Sequence, residues 1–199
     1  MSLATSILKS DLIAAFEETT WLGCGTKMGA AFDTYIMSGT VDTNVTGTVI
    51  PPPPATVTYI AYGEGSGTIV TTGLLVLQTT ISAMLANPST VWADVGDNIA
   101  SAVDTDVLTG SVSTSVSGGL TGGGFGAPGC IDTSASYSAF STALTLAFTS
   151  SPMNTSWKLV ADYIATAAEI YLKGSIVTTE DSGIVPPNSW SGPGSGSIT

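Results

Sequence analysis

Leu8, Leu12, Ala15 and Phe16 stand at offsets 0, 4, 7 and 8, the spacing of one face of an α-helix. The same offsets return at Leu77, Ile81, Met84 and Leu85, and again at Phe140, Leu144, Ala147 and Phe148. A tryptophan follows each stripe: Trp21, Trp92 and Trp157. Behind each tryptophan runs a second helical stripe. The clearest is Trp157, Val160, Ala161, Ile164, Ala168 and Tyr171; its counterparts are Trp92, Val95, Ile99, Ala102 and Val103, and Met28, Ala31, Phe32, Tyr35 and Ile36.

Each second stripe ends at a glycine motif: Gly39-Thr-Val-Asp-Thr43, Gly110-Ser-Val-Ser-Thr114 and Gly174-Ser-Ile-Val-Thr178. These glycines stand where helix C-caps belong. A further glycine follows each motif: Gly47, Gly118 and Gly183. The first and third copies then run into proline (Pro51–Pro54 and Pro186–Pro187) and into Gly-Ser-Gly (Gly65–Gly67 and Gly194–Gly196). Several features in one order at a period of about 65 residues mark an internal repeat. The units are 1–70, 71–132 and 133–199.

Each unit reads as helix, turn, helix, glycine stop and extended tail. Asn87-Pro88 and Ser151-Pro152 mark turns between the helices. Polyproline is extended because its φ is fixed and its amides cannot donate. Thr56 to Tyr62 has the β-branched and aromatic character of a short strand. The expected fold class is mainly α: three repeated helical hairpins, six helices in all, with Gly/Thr/Pro-rich tails and room for short strands. One hairpin buries little core, whereas three share one. The tails read as too glycine-rich and too polar to build a core, so they should cover the helices or reach to neighbours.

Composition narrows the chemistry. The 199 residues hold four Lys, no Arg, no His and fifteen acidic side chains, for a net charge of −11. Without histidine there is no Ser-His-Asp or Cys-His catalysis and no His-ligated metal. Without arginine there is no bidentate anion clamp. Four scattered lysines cannot neutralise a phosphate backbone, so nucleic acid is not an expected partner. The best apolar run, Gly73 to Ala86, is short and carries polar residues, so no membrane span is expected. The start of the chain lacks a basic n-region, so no signal peptide is read there. Cys24 and Cys130 read as two reduced, partly buried thiols, with no metal-ligand spacing around them.

The candidate sites are few. Asp94, Asp97, Asp104 and Asp106 form the densest acidic stretch, and a divalent cation is the functional reading. Asp94 and Asp97 face away from the apolar stripe, so a solvated helix face is the preferred reading. Gly63-Glu-Gly65-Ser-Gly67 lacks the lysine of a phosphate loop, and Glu64 would repel phosphate. The adjacent pairs Glu17-Glu18 and Glu180-Asp181 point different ways on regular structure. Asn44-Val-Thr46 and Asn154-Thr-Ser156 match a glycosylation pattern by accident of composition. Trp21, Trp92 and Trp157 read as core anchors. Trp190, alone among Pro186, Pro187 and Pro193, is the candidate partner contact, an anchor into a neighbouring unit or subunit, with packing back onto the second helix of its own unit as the alternative. No catalytic, cofactor or metal residue is assigned.

The helix pair Leu144–Phe148 and Trp157–Tyr171, the tail PPNSWSGPGSGSIT and the His-free, Ala/Thr/Gly/Ser-rich composition resemble bacteriophage virion structural proteins. The resemblance implies a non-enzymatic head, neck, tail or baseplate component. It would be made in the host cytoplasm, present in multiple copies and held by other virion proteins. The alternatives are a bacterial surface or secreted interaction module and a carbohydrate-active enzyme working with carboxylates alone.

Overall fold

The computed structural model describes residues 3–54, 57–87, 91–150 and 156–199. The first unit contributes α1 (Thr5–Phe16), α2 (Trp21–Ser38), β1 (Thr40–Ile50) and β2 (Tyr59–Val70). The second contributes α3 (Leu74–Ala86), α4 (Trp92–Thr109), β3 (Ser111–Gly118), β4 (Gly122–Gly126) and the short β5 (Ile131–Asp132). The third contributes α5 (Tyr137–Thr149), α6 (Trp157–Lys173), β6 (Ile176–Val185) and β7 (Asn188–Ile198).

The helical stripes do what their period requires. Leu8, Leu12 and Ala15 of α1, Leu77, Ile81 and Leu85 of α3, and Phe140, Leu144, Ala147 and Phe148 of α5 are buried. Each tryptophan opens the second helix of its unit, and Thr20 caps α2 by accepting from the Gly23 amide at 3.1 Å. The helices pack in a closed ring, α1–α2–α3–α4–α5–α6–α1. The closest approaches lie between units. Gly25 and Gly29 of α2 abut Ser82 and Gln78 of α3, and Gly96 of α4 abuts Leu144 and Thr145 of α5. The helix pairs are therefore not self-contained hairpins: α2 packs hard against α3 and α4 against α5, while α6 packs on α5 and α1 alike.

The mainly-α expectation is overturned by the tails. They form a closed six-stranded antiparallel barrel, β4-β3-β2-β1-β7-β6, with β4 pairing back to β6 and β5 added beside β6. The residues that argued against a core explain how this one is built. On the first strand of each β-hairpin, alternate residues point inward: Val41, Thr43 and Val45; Val112, Thr114 and Val116; Val177, Thr179 and Asp181. Opposite them the second strand places glycine: Thr43 faces Gly65, Thr114 faces Gly124, and Thr179 faces Gly194. A narrow barrel fills by alternating large and small residues, and closure leaves no exposed sheet edge among these strands.

Two details of the repeat change. The third copy is offset by one residue, so Val177 and Thr179 match Val41 and Thr43, while Ile176 faces solvent. The motif glycines are not left-handed caps. Gly39 and Gly110 are extended and Gly174 is right-handed helical, so each helix passes directly into its strand. Positive φ occurs instead at Gly118, Gly122 and Gly129. The expected turns at Pro88 and at Ser151-Pro152, and Thr56 of the expected strand, lie outside the described residues.

The core is divided. The larger cluster fills the helix ring and the near end of the barrel, through Val41, Ile69, Val112, Val177 and Ile198. The smaller fills the far end of the barrel with Val45, Val49, Val116, Leu120 and Trp190. Cys24 and Cys130 are both buried and free, and burial with the nearby Glu18 charge pushes the Cys24 thiol up to about 11.

Candidate functional site

The second helix of each unit carries the same polar device. Twelve residues after the tryptophan stands an acid: Asp33, Asp104 and Glu169. Each accepts a hydrogen bond from a threonine near the first helix of the following unit in the ring. Thr133 Oγ1 donates to Asp104 at 2.7 Å, Thr5 Oγ1 donates to Glu169 at 2.8 Å, and Thr71 Oγ1 donates to Asp33. Fourteen residues after the tryptophan stands Tyr35 in α2 and Tyr171 in α6. Tyr171 donates to Asp104 at 2.6 Å and stacks on Phe140, and Tyr35 reaches the Thr5–Glu169 pair through a 3.4 Å contact to Thr5 Oγ1. Tyr171 thus bonds the acid of the preceding unit directly, and Tyr35 approaches the threonine that donates to it.

In α4 that tyrosine position is Asp106. Its counterpart acid is Asp33, so this third of the ring sets two carboxyl groups where the others set a phenol against a carboxylate. Asp106 is 3% exposed, and neither carboxyl oxygen has a hydrogen-bond partner. Burial, and then the Asp33 charge, push its pKa up to about 6, and the Gly73 amide, which approaches the carboxyl without completing a hydrogen bond, offsets part of the rise. The exchange also removes volume. A groove of about 640 Å³ opens between α3 and α4, lined by Val76, Leu77, Met84 and Ala102 along its apolar wall and reaching Asp106 at its inner end. The same place between α1 and α2, where Tyr35 lines it, holds only about 60 Å³, and the counterpart between α5 and α6 holds about 310 Å³.

A second feature closes the end of the helix ring opposite the barrel. Trp21, Trp92 and Trp157 gather there with Phe16 and Phe148. Trp157 stacks on Phe16 at 4.8 Å, Trp92 stacks on Phe148 at 6.0 Å, and Trp21 meets Trp92 edge-on at 5.6 Å. The expectation that these tryptophans are core anchors fails in part: they remain 46%, 43% and 42% exposed. Trp21 and Trp92 hold each other and Trp157 rests on Phe16 at a surface, with Leu22, Val91 and Leu159 also exposed beside them in sequence.

A third feature is a polar layer across the barrel. Thr114 donates to Asp181 Oδ1 at 2.8 Å and Thr179 donates to Asp181 Oδ2 at 2.6 Å, all three buried. Thr43 Oγ1 lies in the same layer and has no partner among the described residues.

The expected sites fare unevenly. Asp94 and Asp97 are exposed, in keeping with a solvated face, and Asp97 accepts from Ser141 at 2.6 Å. Asp104 and Asp106 turn inward, so the acidic stretch is not one face and not one cluster. No group of three metal-ligating side chains occurs among the described residues. Trp190 anchors into the neighbouring units of its own chain, among Val45, Val49, Val116 and Leu120. It is 2% exposed within the barrel, and its indole donates to the Thr121 carbonyl at 3.0 Å, so it is a core residue and not a partner contact. The flanking prolines and glycines that suggested an arm belong to the strand that buries it. Among the described residues no helix is long and apolar enough to cross a membrane. Comparison with family models, curated proteins and solved structures finds no match to this chain.

Proposed function

We propose that the chain is a non-enzymatic structural component of a phage particle, bridging or decorating repeated virion subunits. The observation that carries this reading is the tryptophan face. Three copies of one unit bring three equivalent, half-exposed indoles to one end of a closed ring. Aromatic side chains supply a large share of binding energy at interfaces, because they bury much area at low entropic cost. A three-sided aromatic face on one chain suits a partner that presents equivalent subunits around an axis. The net charge of −11 disfavours nucleic acid and favours apolar or basic protein surfaces. The resemblance in composition and tail sequence points to the same class.

The test is fractionation of a lysate that produces particles. The chain should band with purified virions, and cryo-electron microscopy should place the Trp21–Trp92–Trp157 end against another virion protein. Recovery only outside purified particles overturns the proposal.

A further inference from the structure

We infer that the groove between α3 and α4 binds a primary amine on an apolar stem, with the ammonium group held by Asp106. The repeat itself supports the assignment. At the equivalent positions stand Tyr35, whose hydroxyl meets Thr5, and Tyr171, whose hydroxyl donates to Asp104, and the corresponding grooves are smaller, about 60 Å³ between α1 and α2 and about 310 Å³ between α5 and α6. At Asp106 the ring is missing, the space is open, and the donor has become an acceptor. What completes this third of the ring must bring apolar volume and hydrogen-bond donors together.

The wall and the end of the groove specify the class. Val76, Leu77, Met84 and Ala102 form an apolar strip along the groove, and polar side chains including Thr80, Asn98, Ser101 and Thr105 line the rest. At its inner end lies Asp106, whose carboxyl oxygens are unpartnered and closed to solvent, so an ammonium group reaches them by turning the side chain toward the groove, and the Asp33 charge is close enough to act on it. Three of the four lysines are engaged elsewhere: Lys9 with Asp162, Lys27 with Glu18 and Lys173 with Glu169. An anion would meet two acids. A neutral apolar molecule would leave Asp106 without a donor, and a buried acceptor without one is costly. An ammonium group supplies three donors and a charge of the right sign, and its methylene stem matches the wall. Gly73 lets the carboxyl sit where it does, since a Cβ there would strike Asp106 Oδ1.

The same chemistry is offered by a free amine or by a lysine side chain of another protein. Calorimetry and amide chemical-shift mapping with hexylamine, phenethylamine and Nα-acetyl-lysine amide separate the two. Phenethyl alcohol serves as the uncharged control. The expected result is saturable binding of at least one amine, with shifts confined to α3 and α4. D106N should weaken it by about tenfold or more, as expected for a charged hydrogen bond. D106Y, which restores the residue of the other two units, should abolish it while retaining the helical circular dichroism. Binding of the free amines alone identifies a small ligand, and binding of the lysine derivative alone identifies a protein side chain. No saturable binding of any amine, equal binding to D106N, or equal binding of the alcohol overturns the inference. None of these outcomes depends on whether the chain belongs to a virion.

Discussion

Thr114 on β3 donates to Asp181 on β6 across the interior of the barrel, at 2.8 Å and 67 residues apart in sequence. The bond joins the second unit to the third between two apolar clusters, where no solvent competes. Asp181 also accepts from Thr179. D181A would orphan both hydroxyls and leave a void, and should destabilise the fold by about 2–4 kcal/mol, measured by urea unfolding. D181N keeps the volume and one good acceptor, so its loss should be smaller. Equal losses for the two variants would mean that volume and not hydrogen bonding sets the cost.

The glycine opposite Thr114 gives a second prediction. A Cβ on Gly124 would strike Asp181 Oδ1 and lie 2.8 Å from Thr114 Oγ1. G124A should therefore destabilise the barrel by about 1–3 kcal/mol, as overpacking does, although alanine is the better strand former. Gly129 is the control: nothing lies within 4 Å of its Cβ position, but its φ of +88° strains any side chain. G129A should cost about 1 kcal/mol through the backbone alone. Thermal unfolding of the two variants ranks them.

These glycines also explain which parts of the fold were legible in sequence. The six helices announced themselves because Leu, Ile and Phe at a 3.6-residue period have one reading. The barrel did not. Gly63-Glu-Gly65-Ser-Gly67 and Gly194-Ser-Gly196 have low strand propensity and read as loops, yet they are strands because Thr43, Thr179 and Asp181 occupy the space in front of them. The alternation Val41, Thr43, Val45, Gly47, Val49 was the available signal, and its meaning depended on partners far along the chain. Asp106 was legible in principle. It stands on the apolar stripe of α4 at the register of Tyr171, but its neighbours Asp94, Asp97 and Asp104 drew it into a reading as solvated surface. Trp190 was legible as an anchor but not as core, because proline and glycine around it suggested an arm, where the closed sheet made the neighbour its own chain.

The buried Asp106 predicts a pH dependence. Its pKa is raised from 3.8 to about 6 in the folded chain, so the folded state holds the proton more tightly than the unfolded state. The stabilisation this gives is complete below the unfolded value and is lost as pH rises through about 6. At pH 7.5 the carboxyl is ionised, buried and near the Asp33 charge. D106N should therefore raise stability by about 1–3 kcal/mol at pH 7.5 and have a much smaller effect at pH 4. Urea midpoints of the two proteins across pH 4–8 check this. Parallel curves would remove Asp106 as the source.

The tryptophan face separates stability from assembly. Trp21, Trp92 and Trp157 each keep more than two fifths of their surface in solvent, so each loses less on truncation than a core aromatic would. Single changes to alanine should cost about 1–2 kcal/mol each, below the roughly 3–5 kcal/mol expected for W190A inside the barrel. For incorporation into particles the order should reverse. W92A, which removes the ring that contacts both Trp21 and Phe148, should fold and yet be depleted from purified virions. W190A tests the converse, since any fraction that folds still presents the three indoles. Particles that take up W92A at the wild-type level would show that this end of the ring is not the contact, whichever surface is.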